Sequence, residues 1–119
     1  MQKKILVVED GEFNQDLLVQ LLADEYTVVL AADGLEGLCK AESEKPDLIL
    51  MDLGLPGVDG WEATRRIKAS PELRRIPVVA ITSHAMVGDE TKARAAGCDD
   101  YLVKPIDELE LLRTIRRFV

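Results

Sequence analysis

Five apolar runs of strand length alternate with five segments of helical periodicity, and this alternation is the feature that most constrains the fold. The predicted strands span residues 4–9, 27–31, 47–51, 76–82 and 100–103. The predicted helices span residues 13–24, 34–44, 61–69, 88–96 and 107–118. Strands that are joined by helical crossovers run parallel, because each crossover returns the chain to the same edge of the sheet. The pattern therefore predicts five βα units around one parallel sheet.

The third and fourth predicted strands are almost entirely apolar, which is typical of strands that helices cover on both faces. Right-handed crossovers favour a doubly wound open sheet, and the flavodoxin-like strand order 2-1-3-4-5 is the common five-stranded solution. We therefore expect an α/β fold with five helices. The chain has 119 residues and lacks a linker or low-complexity stretch, so residues 1–119 are expected to form one domain.

Composition and charge exclude several classes of protein. No window approaches the roughly 20 continuous apolar residues of a membrane helix, and the N-terminus does not resemble a secretory signal. The net charge of −7 argues against a nucleic-acid surface, which needs a basic face. Cys39 and Cys98 form no CxxC pair, so both are expected to be buried thiols in a reducing compartment. These features predict a cytoplasmic protein that contacts neither membrane nor nucleic acid.

Acidic side chains collect where the functional crevice of such a sheet is expected, at the carboxyl ends of strands 1 and 3. Glu9 and Asp10 end strand 1, and Asp52 directly follows strand 3. Crowded carboxylates repel one another unless a cation neutralises them. Mg²⁺ prefers oxygen ligands and is typically held by one or two carboxylates together with phosphate oxygens. We therefore expect Asp10 and Asp52, with Glu9 as a further candidate, to form part of a magnesium site.

Two further side chains at the same edge suit a phosphoryl group. Thr82 ends strand 4 and offers a hydroxyl donor, and Lys104 follows strand 5 and offers a compact positive charge. Carboxylates can act as nucleophiles and form acyl phosphates. Asp52 is therefore the expected phosphoryl acceptor, presented at the end of a rigid apolar strand.

These motifs resemble the receiver domain of two-component response regulators over essentially the whole chain. The similarity rests on "VVED" (7–10), "MDLGLPGVDG" (51–60), "AIT" (80–82) and "YLVKP" (101–105). The segment "AMVGDETKARAAGCDDYLVKPI" (85–106) is especially similar to the single-domain cell-division regulators of α-proteobacteria and to the receivers of hybrid histidine kinases.

The resemblance implies that Asp52 accepts a phosphoryl group from a histidine kinase or a histidine phosphotransferase. It implies that Mg²⁺ is held by Glu9 or Asp10, by Asp52 and by the backbone carbonyl of Gly54. The chain would then be a signalling switch that catalyses its own phosphotransfer and dephosphorylation, not an enzyme that acts on a separate substrate. Its output would be contact with a downstream protein.

The resemblance also implies roles for the strand 4 and strand 5 residues. Thr82 and Lys104 would bind the phosphoryl oxygens, and the Lys104–Pro105 peptide bond would be cis, an isomer found in only about 5% of X-Pro bonds. Thr82 and Tyr101 would form a switch that reshapes the face made by helix 4, strand 5 and helix 5. That face is the expected docking surface for the downstream protein.

One position departs from the family pattern, and two others are expected to affect how long the phosphoryl group lasts. Gly11 stands where many receivers carry a polar residue, which puts a contribution of that position to metal binding in doubt. Gly54 and His84, two positions after Asp52 and Thr82 respectively, are expected to influence the lifetime of the phosphoryl group.

Three other classes remain as alternatives. Phosphohydrolases with an aspartyl nucleophile carry a DxD motif after an apolar strand. Here the first acid would be Asp52, but Gly54 stands at the position of the second acid. A flavin or dinucleotide module needs a phosphate-binding loop after strand 1, whereas this loop reads "EDGEFN" and repels phosphate unless a metal ion intervenes. A degenerate receiver could serve as a phosphorylation-independent docking module, but the intact acidic and basic residues disfavour it.

Overall fold

The computed structural model describes residues 2–53, 60–82 and 89–119, with the backbone alone at 89 and 90. The strands are β1 (Lys3–Val8), β2 (Tyr26–Ala31), β3 (Leu48–Asp52), β4 (Val78–Thr82) and β5 (Asp100–Val103). The helices are α1 (Glu12–Leu22), α2 (Gly34–Glu44), α3 (Gly60–Ala69), α4 (Asp89–Ala95) and α5 (Glu108–Phe118). The predicted alternation of five strands and five helices is confirmed.

The strands form one parallel sheet in the order β2-β1-β3-β4-β5, which confirms the predicted flavodoxin-like topology. The register aligns the carboxyl ends of the central strands. Val8 pairs with both Ala31 and Met51, and Asp52 pairs with Ile81. The residues that follow Val8 therefore emerge beside Asp52, at the crevice between β1 and β3.

The two faces of the sheet bury separate apolar clusters, because successive side chains of a strand point to opposite faces. On β1, Ile5 and Val7 belong to the cluster that α1 and α5 cover. Leu6 and Val8 belong to the cluster that α2, α3 and α4 cover. Every residue of β3 and β4 is buried, which explains why these strands read as continuous apolar runs.

Aspartate side chains cap the N-termini of two helices. The Asp33 carboxylate accepts a hydrogen bond from the Glu36 amide, and the Asp107 carboxylate accepts from the Leu109 and Glu110 amides. Such caps satisfy amides that have no partner within the helix.

The predicted boundaries need small corrections. The expected fourth strand begins at Ile76, but β4 begins at Val78. Pro77 has no N–H to donate to a ladder, although its carbonyl still accepts from the Ile49 amide at 2.9 Å. The expected first helix ends at Asp24, whereas α1 ends at Leu22.

The prediction that both cysteines are buried is half wrong. Cys98 is buried, but Cys39 is exposed. The buried residues of α2 are Gly34, Gly37 and Ala41, so position 39 lies on the outer side of that helix. Among the described residues, no helix has the length and apolar character of a membrane span.

Candidate functional site

Three carboxylates meet where β1 and β3 end. Glu9, Asp10 and Asp52 each offer an oxygen, and these three oxygens lie within 4.8 Å of one another. Glu9 is 2% exposed and Asp52 is 7% exposed, whereas Asp10 is exposed. The structure therefore brings together the acidic residues that the sequence places at this edge. Oxygen-rich clusters of this kind suit hard divalent cations.

Lys104 lies against the two buried carboxylates. Its Nζ is 3.2 Å from each carboxylate oxygen of Glu9 and 3.5 Å from Oδ2 of Asp52. The backbone amide of Lys104 donates to the Thr82 carbonyl at 2.7 Å, which fixes the lysine relative to β4. The Lys104–Pro105 peptide bond is cis. Lys104 therefore partly neutralises the cluster, with more contact to Glu9 than to Asp52.

The first turn of α1 holds Glu9 at two points. Nδ2 of Asn14 donates to Oε1 of Glu9 at 2.9 Å. Nε2 of Gln15 donates to the backbone carbonyl of Glu9 at 2.5 Å. Asn14 and Gln15 are not among the residues that the sequence analysis assigns to the site. Their signal in the sequence is weak, since two adjacent amides near a helix start also suit a solvent-facing turn.

The pKa of the Glu9 carboxyl is raised from 4.5 to about 7. Burial is the largest cause, and a hydrogen bond to Asp52 and its negative charge raise the pKa further. The hydrogen bond from Asn14 and the charge of Lys104 act in the opposite direction. Lys104 supplies one positive charge, whereas Glu9 and Asp52 carry two negative charges when both are ionised. The buried cluster therefore favours an additional cation.

Thr82 and Tyr101, the predicted switch pair, lie on the neighbouring strands β4 and β5. Thr82 is buried at the end of β4, next to the strand that ends in Asp52. Tyr101 is half-buried on β5, at the edge of the sheet, and pairs with Ala80 of β4. Its side chain packs against the apolar cluster under α2, α3 and α4. The register therefore places both side chains on neighbouring strands that lead to the site.

The proposed lifetime-tuning positions, Gly54 and His84, lie outside the described residues, and so does the Gly54 carbonyl.

Gly60 is a further residue that the sequence analysis does not assign to the site. A Cβ at this position would lie 2.2 Å from the Asp52 carbonyl oxygen and 2.7 Å from Cα of Leu53. Real Cβ atoms do not approach backbone so closely. The absence of a side chain therefore lets α3 begin directly against the end of β3.

The doubly wound sheet and the carboxylate cluster at its carboxyl edge define the class of protein. The chain belongs to the response regulator receiver domain family, whose model matches residues 5–116. It is therefore a receiver domain of a two-component system and acts as a signalling switch.

The relatives include both subgroups that the sequence resembles. The polar-differentiation response regulator DivK of Brucella anthropi is 43% identical over 120 residues, which cover 100% of this chain and 98% of that protein. The receiver domain of the sensor histidine kinase PA1611 from Pseudomonas aeruginosa PAO1 has a TM-score of 0.92 and 41% identity, covering 99% of this chain and 98% of that one. In that structure a magnesium ion is coordinated in the active-site cleft.

The fold is also shared with a more distant relative. The chemotaxis protein CheY4 of Vibrio cholerae superposes with a TM-score of 0.93 at 28% identity, covering 100% of both chains. The overall architecture is therefore retained while most of the sequence differs.

Proposed function

We propose that Asp52 accepts a phosphoryl group from the phosphohistidine of a histidine kinase or histidine phosphotransferase. The observation that carries this proposal is the buried Asp52 carboxylate at the end of β3, next to Glu9, Asp10 and Lys104. A carboxylate at the end of a fully buried strand has little freedom to move. Its oxygens are therefore presented in a fixed position at the crevice.

The carboxylate cluster suits Mg²⁺. Asp10, Asp52 and Glu9 would hold the ion, with the backbone carbonyl of Gly54 as a further proposed ligand. Support comes from the all-oxygen donor set and from the raised pKa of Glu9, which is caused first by burial and then by the neighbouring Asp52 carboxylate. When bound, the ion would neutralise the carboxylates and the incoming phosphoryl oxygens.

The side chains of this chain would carry out the remaining chemistry. An ionised oxygen of Asp52 attacks the phosphorus, the P–N bond of the phosphohistidine breaks, and its electron pair leaves with the imidazole. Lys104 is 3.5 Å from Asp52 and would move its ammonium group onto the phosphoryl oxygens. The Thr82 hydroxyl would donate to another of these oxygens. The domain would also catalyse its own dephosphorylation, at a rate that Gly54 and His84 influence.

The output would pass through the face made by α4, β5 and α5. The Thr82 side chain would move toward the phosphoryl group. This movement would leave space into which the ring of Tyr101, on the neighbouring strand β5, would turn inward. On this face the Asp100 carboxylate contacts Arg94 of α4 at 3.7 Å and also pairs with Arg117 of α5. A displacement of Tyr101 would therefore disturb contacts to both helices, and a downstream protein would read the change.

We also propose that residues 1–119 form one receiver domain that works in the cytoplasm without touching nucleic acid directly. The family match over residues 5–116 and the net charge of −7 support this.

The experiment is intact-mass detection of phosphorylation by acetyl phosphate, in Mg²⁺ and in EDTA. The wild type is expected to gain one phosphoryl group in Mg²⁺ and much less in EDTA. Asp52→Asn, which keeps the shape and removes the nucleophile, should gain none. An unmodified wild type that is folded would refute the proposal and favour a docking module that works without phosphorylation.

A further inference from the structure

We infer that Asn14 is a positioning residue for the metal site, because its side-chain amide holds one oxygen of Glu9 and so fixes the orientation of the carboxylate. This inference rests on the proposed function, since the cation in question is the proposed Mg²⁺. Asn14, in α1, would act through Glu9 rather than by binding the ion itself.

The donors around Glu9 are distributed unequally between its two carboxylate oxygens. Oε1 accepts from Nδ2 of Asn14 at 2.9 Å and from Nζ of Lys104 at 3.2 Å. Oε2 accepts from Nζ of Lys104 at 3.2 Å, and the Glu9 carboxyl group is also hydrogen-bonded to the Asp52 carboxyl group. Of the nitrogen donors, Asn14 contacts Oε1 alone, whereas Lys104 contacts both oxygens. The Asn14 amide therefore fixes the orientation of the carboxylate that Glu9 presents.

Gly11 provides the space for this contact. A Cβ at position 11 would lie 3.2 Å from Oε1 of Glu9 and 3.4 Å from Nδ2 of Asn14. Gly11 has φ −84° and ψ 121°, which any residue can adopt, and it gives α1 no side-chain cap. The site thus gains no polar group from position 11. Asn14, in the first turn of α1, supplies the side-chain amide instead.

Asn14 and Gln15 perform separate tasks although they are adjacent. Gln15 anchors the backbone, because its side chain donates to the Glu9 carbonyl and its own amide donates to the Gly11 carbonyl at 2.9 Å. Asn14 contacts the carboxylate group itself. This division supplies a matched control, since the Gln15→Ala variant removes an amide from the same turn without freeing the carboxylate.

The size of the effect follows from how metal ligands depend on their hydrogen-bond partners. Removing a partner that orients a ligand typically weakens metal affinity about 10–100-fold. Glu9 keeps its contact with Lys104, so we expect the lower end of this range. Asn14→Ala should therefore raise the dissociation constant for Mg²⁺ by about 10-fold.

The test is a Mg²⁺ titration followed by NMR on metal-free wild type, Asn14→Ala, Asn14→Leu and Gln15→Ala. Leucine keeps approximately the volume of Asn14 without its donor, so it controls for packing. Both Asn14 variants should bind Mg²⁺ about 10-fold more weakly, and the Gln15 variant should stay within about 3-fold of the wild type. Wild-type affinity in the Asn14 variants would overturn the inference while leaving the proposed function intact.

A double-mutant cycle with Glu9→Gln separates positioning from a general structural effect. If Asn14 acts through Glu9, Asn14→Ala should have little further effect on Mg²⁺ affinity once Glu9 is glutamine. An equal loss in both backgrounds would overturn the inference. If the wild type binds no Mg²⁺, both the proposed metal site and the inference about Asn14 are wrong. If the wild type and the Asn14 variants bind Mg²⁺ equally well, only the inference about Asn14 is wrong.

Discussion

Replacing Glu9 with glutamine should stabilise the metal-free protein at alkaline pH, although it removes a proposed metal ligand. Glu9 is 2% exposed, and burial together with Asp52 raises its pKa from 4.5 to about 7. The folded state therefore binds this proton more tightly than the unfolded state does. The stabilisation that protonation provides is fully present below pH 4.5 and is lost as the pH rises through about 7.

The magnitude follows from the difference between the two pKa values. At about 1.4 kcal/mol per pKa unit, the shift corresponds to up to about 3 kcal/mol of unfolding free energy. Glutamine does not titrate. The unfolding free energy of Glu9→Gln minus that of the wild type should therefore increase by up to about 3 kcal/mol between about pH 4 and about pH 8. For a domain of this size, that difference corresponds to a melting-temperature difference on the order of 10 °C.

The assay is urea denaturation in EDTA across this pH range. Glu12→Gln is the matched control, because it removes a carboxylate from an exposed position at the start of α1. Excess Mg²⁺ at about pH 8 should restore stability to the wild type and do less for Glu9→Gln, because ligands stabilise the state that binds them. A stability difference that stays constant or shrinks as the pH rises would refute the reasoning about Glu9.

Four further substitutions have defined outcomes. Gly60→Ala should lower the unfolding free energy by more than about 2 kcal/mol in urea denaturation, because the added Cβ would overlap the Asp52 carbonyl. Gly11→Ala is the control, because its Cβ would meet only side-chain atoms, the nearest at 3.2 Å, and it should lower the unfolding free energy by less than about 1 kcal/mol. Leu50→Ala should cost about 2–5 kcal/mol in the same assay, because this side chain is fully buried in β3. Lys104→Met should slow phosphorylation by acetyl phosphate about 10-fold or more in intact-mass time courses, without weakening Mg²⁺ binding in NMR titrations. The glycine prediction is wrong if Gly60→Ala and Gly11→Ala lower the unfolding free energy equally. The leucine prediction is wrong if the loss for Leu50→Ala lies outside the stated range. The lysine prediction is wrong if Lys104→Met is phosphorylated at the wild-type rate.

The topology and the location of the site can be predicted from the sequence because both follow from periodicity. Apolar runs separated by helical segments specify parallel strands, and parallel strands bring their carboxyl ends to one edge. Glu9 and Asp52 end neighbouring strands, so their proximity depends on strand order and register alone. The register of β1 and β3 shows this directly.

Other features depend on side-chain geometry that periodicity does not determine. The preference of Lys104 for Glu9 over Asp52 depends on where one flexible side chain settles. The contact of Asn14 with Glu9 depends on the rotation of α1, and the exposure of Cys39 depends on the rotation of α2. Neither rotation can be read from helical spacing alone when small or polar residues occupy several faces.

Locating the phosphoryl group in the chain tests the central claim most directly. Sodium borohydride reduces an aspartyl phosphate to homoserine, so peptide mapping by mass spectrometry after acetyl phosphate treatment identifies the acceptor. The arrangement of the cluster predicts homoserine at position 52, formed in Mg²⁺ and in much smaller amount when the same reaction is run in EDTA. Reduction at Asp10 or at a site outside the cluster, with Asp52 unmodified, would contradict the claim that the end of β3 presents the nucleophile.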